Sequence, residues 1–236
     1  HNVTAITLTP NTTNATTEGT ITPSAGTITD GLSNDVTANY DITYVNGTLK
    51  VTKKVVTITA GSDTKIYDGT ALTNNNYTVS GLETGDRVDS VTITGSQIEA
   101  GTSNNVPSEV VIKNGDVDVV TDNYEIKYVN GTLTVTKKAL TITADDATKV
   151  YDGTALTKDS YSNSSLAAGD TIESVTVTGS QTNSGESANV PSAAVIKNGN
   201  GTDVTSSYDI TYVNGTLDVT KKPVTISGIS VIDKDY

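Results

Sequence analysis

The feature that most constrains this chain is a long internal repeat. The run Val51-Thr52-Lys53-Lys54 recurs at residues 135–138 and again at residues 219–222, a spacing of 84 residues each time. Aligned without gaps, residues 51–134 and 135–218 are identical at 50 of 84 positions. A solenoid repeat is usually much shorter, whereas 84 residues are enough for a small independent domain. The sequence therefore predicts an array of similar domains.

The repeat boundaries divide the chain into two whole and two partial copies. We expect a carboxy-terminal half-repeat at residues 1–52, full repeats at 53–136 and 137–220, and the start of a further repeat at 221–236. Residues 1–50 match only the later half of a full copy, and the first residue is His1. These features are expected of a fragment of a longer array.

Composition and patterning both indicate strands. Threonine makes up about a fifth of the chain, as expected of a β-rich protein. Val56, Ile58 and Ala60 alternate with threonines, and so do the corresponding residues of the second repeat, which is the period of a half-buried strand. Six residues are predicted to contribute to the core from one face of their strand: Tyr124, Ile126 and Tyr128 in the first repeat, and Tyr208, Ile210 and Tyr212 in the second.

Asn-Gly pairs stand between alternating runs at residues 130–131 and 214–215. Such a pair is a strong local signal for a two-residue hairpin, so a hairpin is predicted there, and another at residues 114–115 and 198–199. Residues 81–86 and 166–170 can each hold one helical turn. The expected fold is all-β, with tandem immunoglobulin-like sandwich domains end to end, and a β-grasp-like module is the alternative if residues 81–86 are helical.

Charge and residue usage exclude several functions. The formal net charge is -12 and Arg87 is the only arginine, so the basic surface that binds nucleic acid is missing. The chain has no cysteine, and its one histidine is the first residue, which excludes Cys-His and Ser-His-Asp catalysis within this sequence. There is no apolar run long enough to cross a bilayer.

Several motifs occur in the same order in both full repeats. The first motif, at Lys65 and Lys149, reads Lys-Ile/Val-Tyr-Asp-Gly-Thr. The second is Gly-Asp, at 85–86 and 169–170. The third starts at Tyr124 and Tyr208 and reads Tyr-Asp/Glu-Ile-x-Tyr-Val-Asn-Gly-Thr-Leu. This set resembles the MBG and YDG repeat domains of large bacterial surface proteins and adhesins. The resemblance covers nearly the whole chain and implies an extracellular location at the bacterial cell surface.

No catalytic, cofactor-binding or metal-binding residue is predicted, and the chain is not expected to be an enzyme. Asp68 and Asp152 are interpreted as turn residues because Asp-Gly is a common turn pair. The pairs Asp116 with Asp118 and Asp145 with Asp146 do not have the spacing of a known calcium loop, so they are interpreted as surface charge.

A covalent cross-link is a further possibility that the sequence raises. The chain resembles Gram-positive surface domains, and this resemblance suggests a spontaneous Lys-Asn isopeptide bond. Such a bond needs a buried lysine and a buried asparagine beside an acidic side chain. The recurring positions that supply these groups are Lys65, Asn105 and Asp68 in one repeat and Lys149, Asn189 and Asp152 in the next. The same recurrence is expected for purely structural reasons.

Three functions follow as hypotheses. The first is a structural stalk or spacer that extends a distal domain from the cell, with neighbouring repeats of the same chain as its partners. The second is binding of host glycan or mucin by the repeats themselves, with avidity compensating for weak single sites. The third is a filament subunit that assembles head to tail, because residues 219–236 match the first strands of a repeat and residues 1–50 match its later strands.

Overall fold

A computed structural model describes residues 1–228 and 233 of the chain, so residues 229–232 and 234–236 of the last partial repeat lie outside the described residues. The all-β prediction is confirmed: the described residues form eighteen strands and three single-turn 3-10 helices, at Thr37–Asn39, Thr121–Asn123 and Thr205–Ser207. Among these residues no helix is long and apolar enough to cross a membrane. Residues 84–85 and 168–169 form turns, and neither 81–86 nor 166–170 contains a helix.

The eighteen strands are numbered along the chain. In chain order they are β1 (Asn2–Pro10), β2 (Thr16–Thr29), β3 (Gly47–Val51), β4 (Lys54–Ala60), β5 (Asp63–Ile66), β6 (Tyr77–Ser80), β7 (Asp86–Thr94), β8 (Gly101–Asn114), β9 (Asp118–Val119), β10 (Tyr124–Val129), β11 (Gly131–Thr136), β12 (Lys138–Ala144), β13 (Ala147–Val150), β14 (Tyr161–Asn163), β15 (Thr171–Thr178), β16 (Gly185–Lys197), β17 (Tyr208–Val213) and β18 (Gly215–Thr220).

The described chain divides into two compact units. The amino-terminal unit consists of His1–Ser62, Thr73–Gly95 and Asn104–Leu133. The carboxy-terminal unit consists of Asp63–Leu72, Ser96–Ser103 and Thr134–Tyr236. Two short segments of the first sequence repeat thus belong to the unit that contains the whole second repeat.

The second repeat lies wholly in the carboxy-terminal unit and contains two small sheets. In one sheet β12 is central, antiparallel to β14 and parallel to β17. The other has the order β13-β18-β16-β15, with β13 parallel to β18. Strand β16 also packs against β12 and β17, and the core between the sheets contains the fully buried Leu140, Ile142, Ile196 and Leu217. The alternating pattern of β12 therefore faces this core, as predicted.

The amino-terminal unit repeats part of this arrangement. Strand β4 is central between β10, to which it is parallel, and the antiparallel β6. Val56 and Ile58 of β4 are completely buried in a cluster with Val110, Ile112 and Tyr124. Residues 1–51 supply a separate three-stranded sheet in the order β1-β2-β3.

The predicted hairpin at the Asn-Gly pairs 130–131 and 214–215 is wrong. Strand β17 pairs with β12 in one sheet, whereas β18 pairs with β13 and β16 in the other, so the chain crosses between sheets at Gly215. A Cβ atom at Gly215 would lie 2.6 Å from the carbonyl oxygens of both Ala144 and Asp145. Glycine is required here because two backbone segments approach closely, not because of a hairpin turn.

Each of the long strands β2, β8 and β16 contains a bulge. Ala25, Glu109 and Ala193 have φ values of 49°, 52° and 49°, and the pairing register shifts nearby. In each case the next residue donates its backbone N–H to a tyrosine hydroxyl: Gly26 to Tyr44 at 2.7 Å, Val110 to Tyr128 at 2.9 Å and Ala194 to Tyr212 at 2.8 Å. Tyr128 and Tyr212 are partly exposed, so the prediction that they belong to the core is wrong. They supply an acceptor for the N–H that follows the bulge.

Candidate functional site

A buried polar cluster lies in the carboxy-terminal unit, around Tyr67. This tyrosine comes from the Tyr-Asp-Gly-Thr motif of the first repeat, directly after β5, and is only 2% exposed. Its hydroxyl donates to Asp170 Oδ2 at 3.0 Å, and the hydroxyl of Tyr208 donates to the same oxygen at 2.7 Å. The two rings meet edge to face, with centroids 5.5 Å apart. We call Tyr67, Asp170 and Tyr208 the tyrosine junction.

The turn that follows Tyr67 is fixed by its own side chains. Asp68 Oδ1 accepts hydrogen bonds from the backbone N–H and the hydroxyl of Thr70, and Gly69 adopts a φ of 83°. Lys65 Nζ donates to Asp68 Oδ1 at 2.7 Å and to the carbonyl oxygen of Thr70 at 2.7 Å. The Lys65 ammonium and the Thr70 donors hold the pKa of the Asp68 carboxyl well below its usual range. The interpretation of Asp68 as a turn residue is confirmed.

The acceptor side of the junction is a tight loop between β14 and β15. Gly169 in this loop has a φ of 85°, and the N–H of Asp170 donates to the carbonyl oxygen of Ala167. The N–H of Ala167 donates to the Tyr208 hydroxyl at 2.9 Å, so this oxygen both accepts and donates. Asp170 is buried and accepts from two phenols, which satisfies the carboxylate without a cation.

Burial of the junction changes the acidity of its phenols. It raises the pKa of Tyr67 to about 12, with a further contribution from the hydrogen bond and charge of Asp170. Burial also raises the pKa of Tyr208 well above the ordinary value. Both phenols are therefore held in the neutral, donating form over the whole physiological range of pH.

The same motif residues occur elsewhere in the chain in different surroundings. In the amino-terminal unit, the Tyr124 hydroxyl donates to Asp86 Oδ2 and accepts from the N–H of Glu83 at 3.1 Å. A polar cavity of about 670 Å³ adjoins this pair, lined in part by Asn14, Asp86 and Asn123. At the other end of the second repeat, Tyr151 corresponds to Tyr67 but is 39% exposed, and it lines an open pocket with Lys221, Lys222 and Val224.

Residues 56–134 and 140–218 each match the MBG domain (YGX type). The chain belongs to this family. The two MBG domains stand in tandem and together account for more than half of the chain, which confirms the resemblance to MBG repeats. MBG domains occur in bacterial surface proteins. No curated protein matches the chain.

The tyrosine junction connects sequence-adjacent MBG repeats, since Tyr67 comes from the first and both Asp170 and Tyr208 come from the second. Ala100 of the first repeat adds a second contact, because its N–H donates to Ser207 Oγ at 3.0 Å. Ala15 makes an equivalent bond in the amino-terminal unit, where its N–H donates to Asn123 Oδ1 at 2.8 Å. The junction was not predicted from the sequence. The two motifs that form it, Tyr-Asp-Gly-Thr and Gly-Asp, do recur at the period of the repeat, and this recurrence could have indicated it.

Three residues of the acidic pairs in the MBG repeats, Asp116, Asp145 and Asp146, make contacts within the fold. Asp116 accepts from Arg87, and Asp146 Oδ1 accepts the backbone N–H of Thr216 at 2.7 Å. Asp145 Oδ2 accepts from the hydroxyl of Ser160. Across the portion of the chain that the structure covers, no group of three or more His, Cys, Asp or Glu residues is arranged to hold a metal ion.

The components considered for a cross-link have separate partners. Lys149 Nζ donates to Asp152 and to Thr154, whereas Asn189 Nδ2 donates to the carbonyl oxygens of Asp145 and Lys158 at 3.0 and 2.9 Å. In the first MBG repeat, Asn105 Nδ2 makes the corresponding bonds to Gly61 and Asn74. The buried asparagine therefore joins two backbone segments through hydrogen bonds.

The acidity of the junction phenols leads to a prediction at alkaline pH. A tyrosine in the unfolded chain has a pKa near 10, whereas burial raises the pKa of Tyr67 in the folded chain to about 12. The stability that the neutral Tyr67 provides is therefore complete below about pH 10. It is lost as pH rises from about 10 to about 12. We expect the melting temperature of Tyr67→Phe to fall less steeply over this interval than that of the parent chain.

Tyr151→Phe is the matched control for that experiment. Because Tyr151 has the same motif around it but is partly exposed, the pH dependence of this variant should follow the parent. Apart from the substituted tyrosine, each variant has the same ionisable side chains as the parent, so the difference between the curves isolates Tyr67. Parallel curves for all three proteins contradict the prediction.

Proposed function

We propose that these tandem MBG repeats act as a spacer, or stalk, in an extracellular bacterial surface protein and hold a distal functional domain away from the cell. The observation that carries this proposal is the tyrosine junction, in which a side chain of one repeat is only 2% exposed within the next. A spacer has to resist flexing where one repeat passes into another, and a buried hydrogen-bonded aromatic contact restricts that motion more than a polar linker does.

The residue composition supports the same role. A net charge of -12 keeps a surface protein soluble, and the absence of cysteine and methionine removes the side chains that oxidise most readily. We infer that the chain is not an enzyme, because Asp170 accepts from two phenols and the side-chain N–H groups of Asn105 and Asn189 donate to backbone carbonyls, while Oδ1 of each asparagine is buried without a hydrogen-bond partner among the described residues. Each of these contacts stabilises the fold, so no chemistry has to be assigned to them.

The glycan-binding alternative finds less support in the tyrosines. Tyr67, Tyr124 and Tyr208 are buried, and the most exposed tyrosine of the described residues, Tyr40, is only 45% exposed. The partly exposed Tyr128 and Tyr212 also use their hydroxyls to accept backbone N–H groups. Flat exposed aromatic rings are what stacking on a sugar requires. The spacer role is therefore the function that we propose.

The proposal predicts a gain in reach when the chain is displayed on a cell. The 236 residues are placed between a bacterial surface anchor and an epitope tag, and capture of the cells by antibody-coated beads is measured. We expect capture to exceed that of the anchor joined directly to the tag, and to rise again when the two full repeats are duplicated.

A Gly/Ser linker of equal length is the control, because a flexible chain extends only with the square root of its length. Capture by the MBG chain that is no better than capture by this linker contradicts the spacer role. A multimerised form of the chain is also applied to a glycan array, where binding above background replaces the spacer proposal with the glycan-binding one.

A further inference from the structure

Six Asn-Gly pairs occur in the chain, and their glycines lie in different surroundings. The pairs begin at Asn46, Asn114, Asn130, Asn198, Asn200 and Asn214. An Asn-Gly pair can modify itself, because the backbone nitrogen of an unhindered glycine can reach the side-chain carbonyl carbon of the asparagine before it. Whether this reaction occurs in the folded chain depends on how each glycine nitrogen is held.

Three of these glycines begin a strand. Gly47, Gly131 and Gly215 are the first residues of β3, β11 and β18. Gly131 and Gly215 are buried. A Cβ atom on them would lie 2.2 Å from the carbonyl oxygen of Gly61 and 2.6 Å from that of Ala144, respectively. The nitrogens of Gly131 and Gly215 therefore cannot move onto the preceding asparagine unless the strand opens.

Asn198 lies in an open turn that follows β16. Its Oδ1 accepts the backbone N–H groups of Asn200 and Thr202, each at 3.0 Å. Two donors on a carbonyl oxygen polarise the carbonyl carbon and stabilise the negative charge that develops on the oxygen during nucleophilic attack. Gly199 lies outside any strand, and its N–H donates to no oxygen among the residues that the structure describes. The attacking nitrogen is thus not held, and the carbon that it attacks is polarised.

The same turn occurs in residues 1–52 with an aspartate in place of the asparagine. Asp30 precedes Asn198 by two repeat periods and is also followed by a glycine. Its Oδ1 accepts the N–H groups of Leu32 and Asn34 at 2.8 and 2.9 Å. Its own N–H donates to the carbonyl oxygen of Asn34 at 3.0 Å, and that of Asn198 donates to Thr202 at the same distance. An aspartate therefore fits this turn with the same hydrogen bonds.

Two further pairs each have one contact that slows the reaction. The side-chain amide nitrogen of Asn114 donates to Asp86 Oδ1 at 2.6 Å, which holds the group that has to leave. The N–H of Gly201 donates to the carbonyl oxygen of Asn198 at 2.8 Å, so the nitrogen that would attack Asn200 is held. Among the described residues, only Asn198-Gly199 combines a polarised side-chain carbonyl with a glycine N–H that makes no hydrogen bond.

We propose that Asn198 is a site of self-modification, at which the folded chain deamidates through a cyclic imide. The nitrogen of Gly199 forms a bond to Cγ of Asn198, and its proton passes through water to Nδ2. The Cγ–Nδ2 bond breaks and releases ammonia. Water then opens the imide at one of its two carbonyl carbons, which leaves either aspartate or isoaspartate. The chain supplies both reacting groups, and water is the only co-reactant.

The modified turn adjoins the tyrosine junction. A cleft of about 260 Å³ is lined in part by Tyr67, Asp170, Asn198 and Gly199. The aspartate product keeps the turn, as Asp30 does, and adds a negative charge to the cleft that Asp170 borders. The isoaspartate product lengthens the backbone of the turn by one carbon atom. The inference goes beyond the spacer role, and either can fail while the other holds.

The test compares the rate of deamidation in the folded chain with the rate in the same chain unfolded in guanidinium chloride, at one mildly alkaline pH. Cleavage after Lys197 and Lys221 gives a single peptide, residues 198–221, that contains Asn198, Asn200 and Asn214. Mass spectrometry with fragmentation measures the amide-to-carboxyl exchange at each of the three positions. The unfolded chain supplies the intrinsic rate of each pair, so the ratio of the two rates reports the effect of the fold.

We expect Asn198 to react in the folded chain at least as fast as in the unfolded chain. Asn214 should react at least about tenfold more slowly in the folded chain than in the unfolded chain, because β18 has to open before Gly215 can attack. Asn214 is therefore the internal control, with the same dipeptide in the same peptide.

Two variants test whether the turn is the cause. Asp30→Asn creates an Asn-Gly pair in the matching turn, and the new asparagine should react at a rate similar to that of Asn198. Gly199→Ala places a Cβ atom 3.6 Å from the carbonyl oxygen of Gly169, an ordinary contact, so the fold is kept. The added methyl group hinders the attacking nitrogen, and Asn198 should lose most of its reactivity.

Two results overturn the proposal. The first is a folded chain in which Asn198 is protected as strongly as Asn214, since the turn would then offer no reactive geometry. The second is an Asp30→Asn variant whose new asparagine reacts no faster than Asn214, because the reactivity of Asn198 would then not come from the hydrogen bonds that the two turns share.

Discussion

Asn189→Asp is expected to destabilise the carboxy-terminal unit by about 4 kcal/mol, the largest effect of any single substitution considered for this chain. Asn189 is completely buried on β16, and both hydrogen atoms of its amide point at backbone carbonyl oxygens, those of Asp145 and Lys158. A carboxylate replaces these two donors with an acceptor, so two carbonyl groups lose their partner and a negative charge is buried beside them.

The pH dependence of this variant identifies the cause. Burial against carbonyl oxygens raises the pKa of the introduced carboxyl, and its protonated form can donate to one of the two carbonyls. The loss of stability relative to the parent should therefore shrink as pH falls. A loss caused only by altered shape would not depend on pH, because aspartate and asparagine have nearly the same volume.

Asn200→Asp is the matched control, because it makes the same chemical change at an exposed position of the same unit. Its effect on the free energy of unfolding should stay within about 0.5 kcal/mol, as is usual for surface substitutions. Urea denaturation of the three proteins at several pH values provides the measurement. Similar losses for the two variants would show that Asn189 does not join the two segments in solution.

How far the sequence determines this fold is clearest at β4 and β12. Their alternation places Val56, Ile58, Leu140 and Ile142 on one face, and those four side chains are fully buried. Alternation is a local property, so it can be identified without knowing which strand is the neighbour. The partners are not local: β12 lies between β14 and the parallel β17, which is distant in sequence, and nothing in the period of two predicts that choice.

The Asn-Gly pair at residues 214–215 failed as a hairpin signal for the same reason. The pair has the composition of a tight turn, but the carbonyl groups of Ala144 and Asp145 decide its role, and these lie about 70 residues earlier in the chain. In a hairpin turn, glycine is favoured because it can adopt a positive φ. Where two backbone segments approach closely, it is favoured because it has no Cβ atom. The sequence alone does not distinguish these two reasons.

The tyrosine junction shows this limit most directly. Tyr67 and Tyr151 share the motif Tyr-Asp-Gly-Thr and an identical ion pair between the lysine two residues earlier and the following aspartate, yet one tyrosine is 2% exposed and the other 39%. The local turn was correctly predicted in both copies. What differs is whether an Asp-Tyr pair lies against the ring, and that depends on the tertiary arrangement and not on the motif.

Tyr67→Ala is expected to weaken the junction by about 3 kcal/mol, because it removes a fully buried aromatic ring, its edge-to-face contact with Tyr208 and one hydrogen bond to Asp170. Asp170 keeps the hydrogen bond from Tyr208, so the carboxylate is not left unpaired and the second repeat is expected to remain folded. A weakening of this size corresponds to roughly 100-fold faster hydrogen exchange in the segments that the junction protects.

Hydrogen exchange followed by mass spectrometry measures this effect at three amides. The N–H groups of Ala100, Ala167 and Asp170 donate to Ser207, Tyr208 and Ala167, respectively, so their exchange reports on both sides of the junction. Tyr151→Ala is the control, since it removes the same side chain from the same motif where the ring is partly exposed, and it should leave exchange at these amides unchanged. Equal protection in Tyr67→Ala and Tyr151→Ala would mean that the buried ring does not couple the two repeats, and the observation behind the spacer proposal would lose its energetic basis.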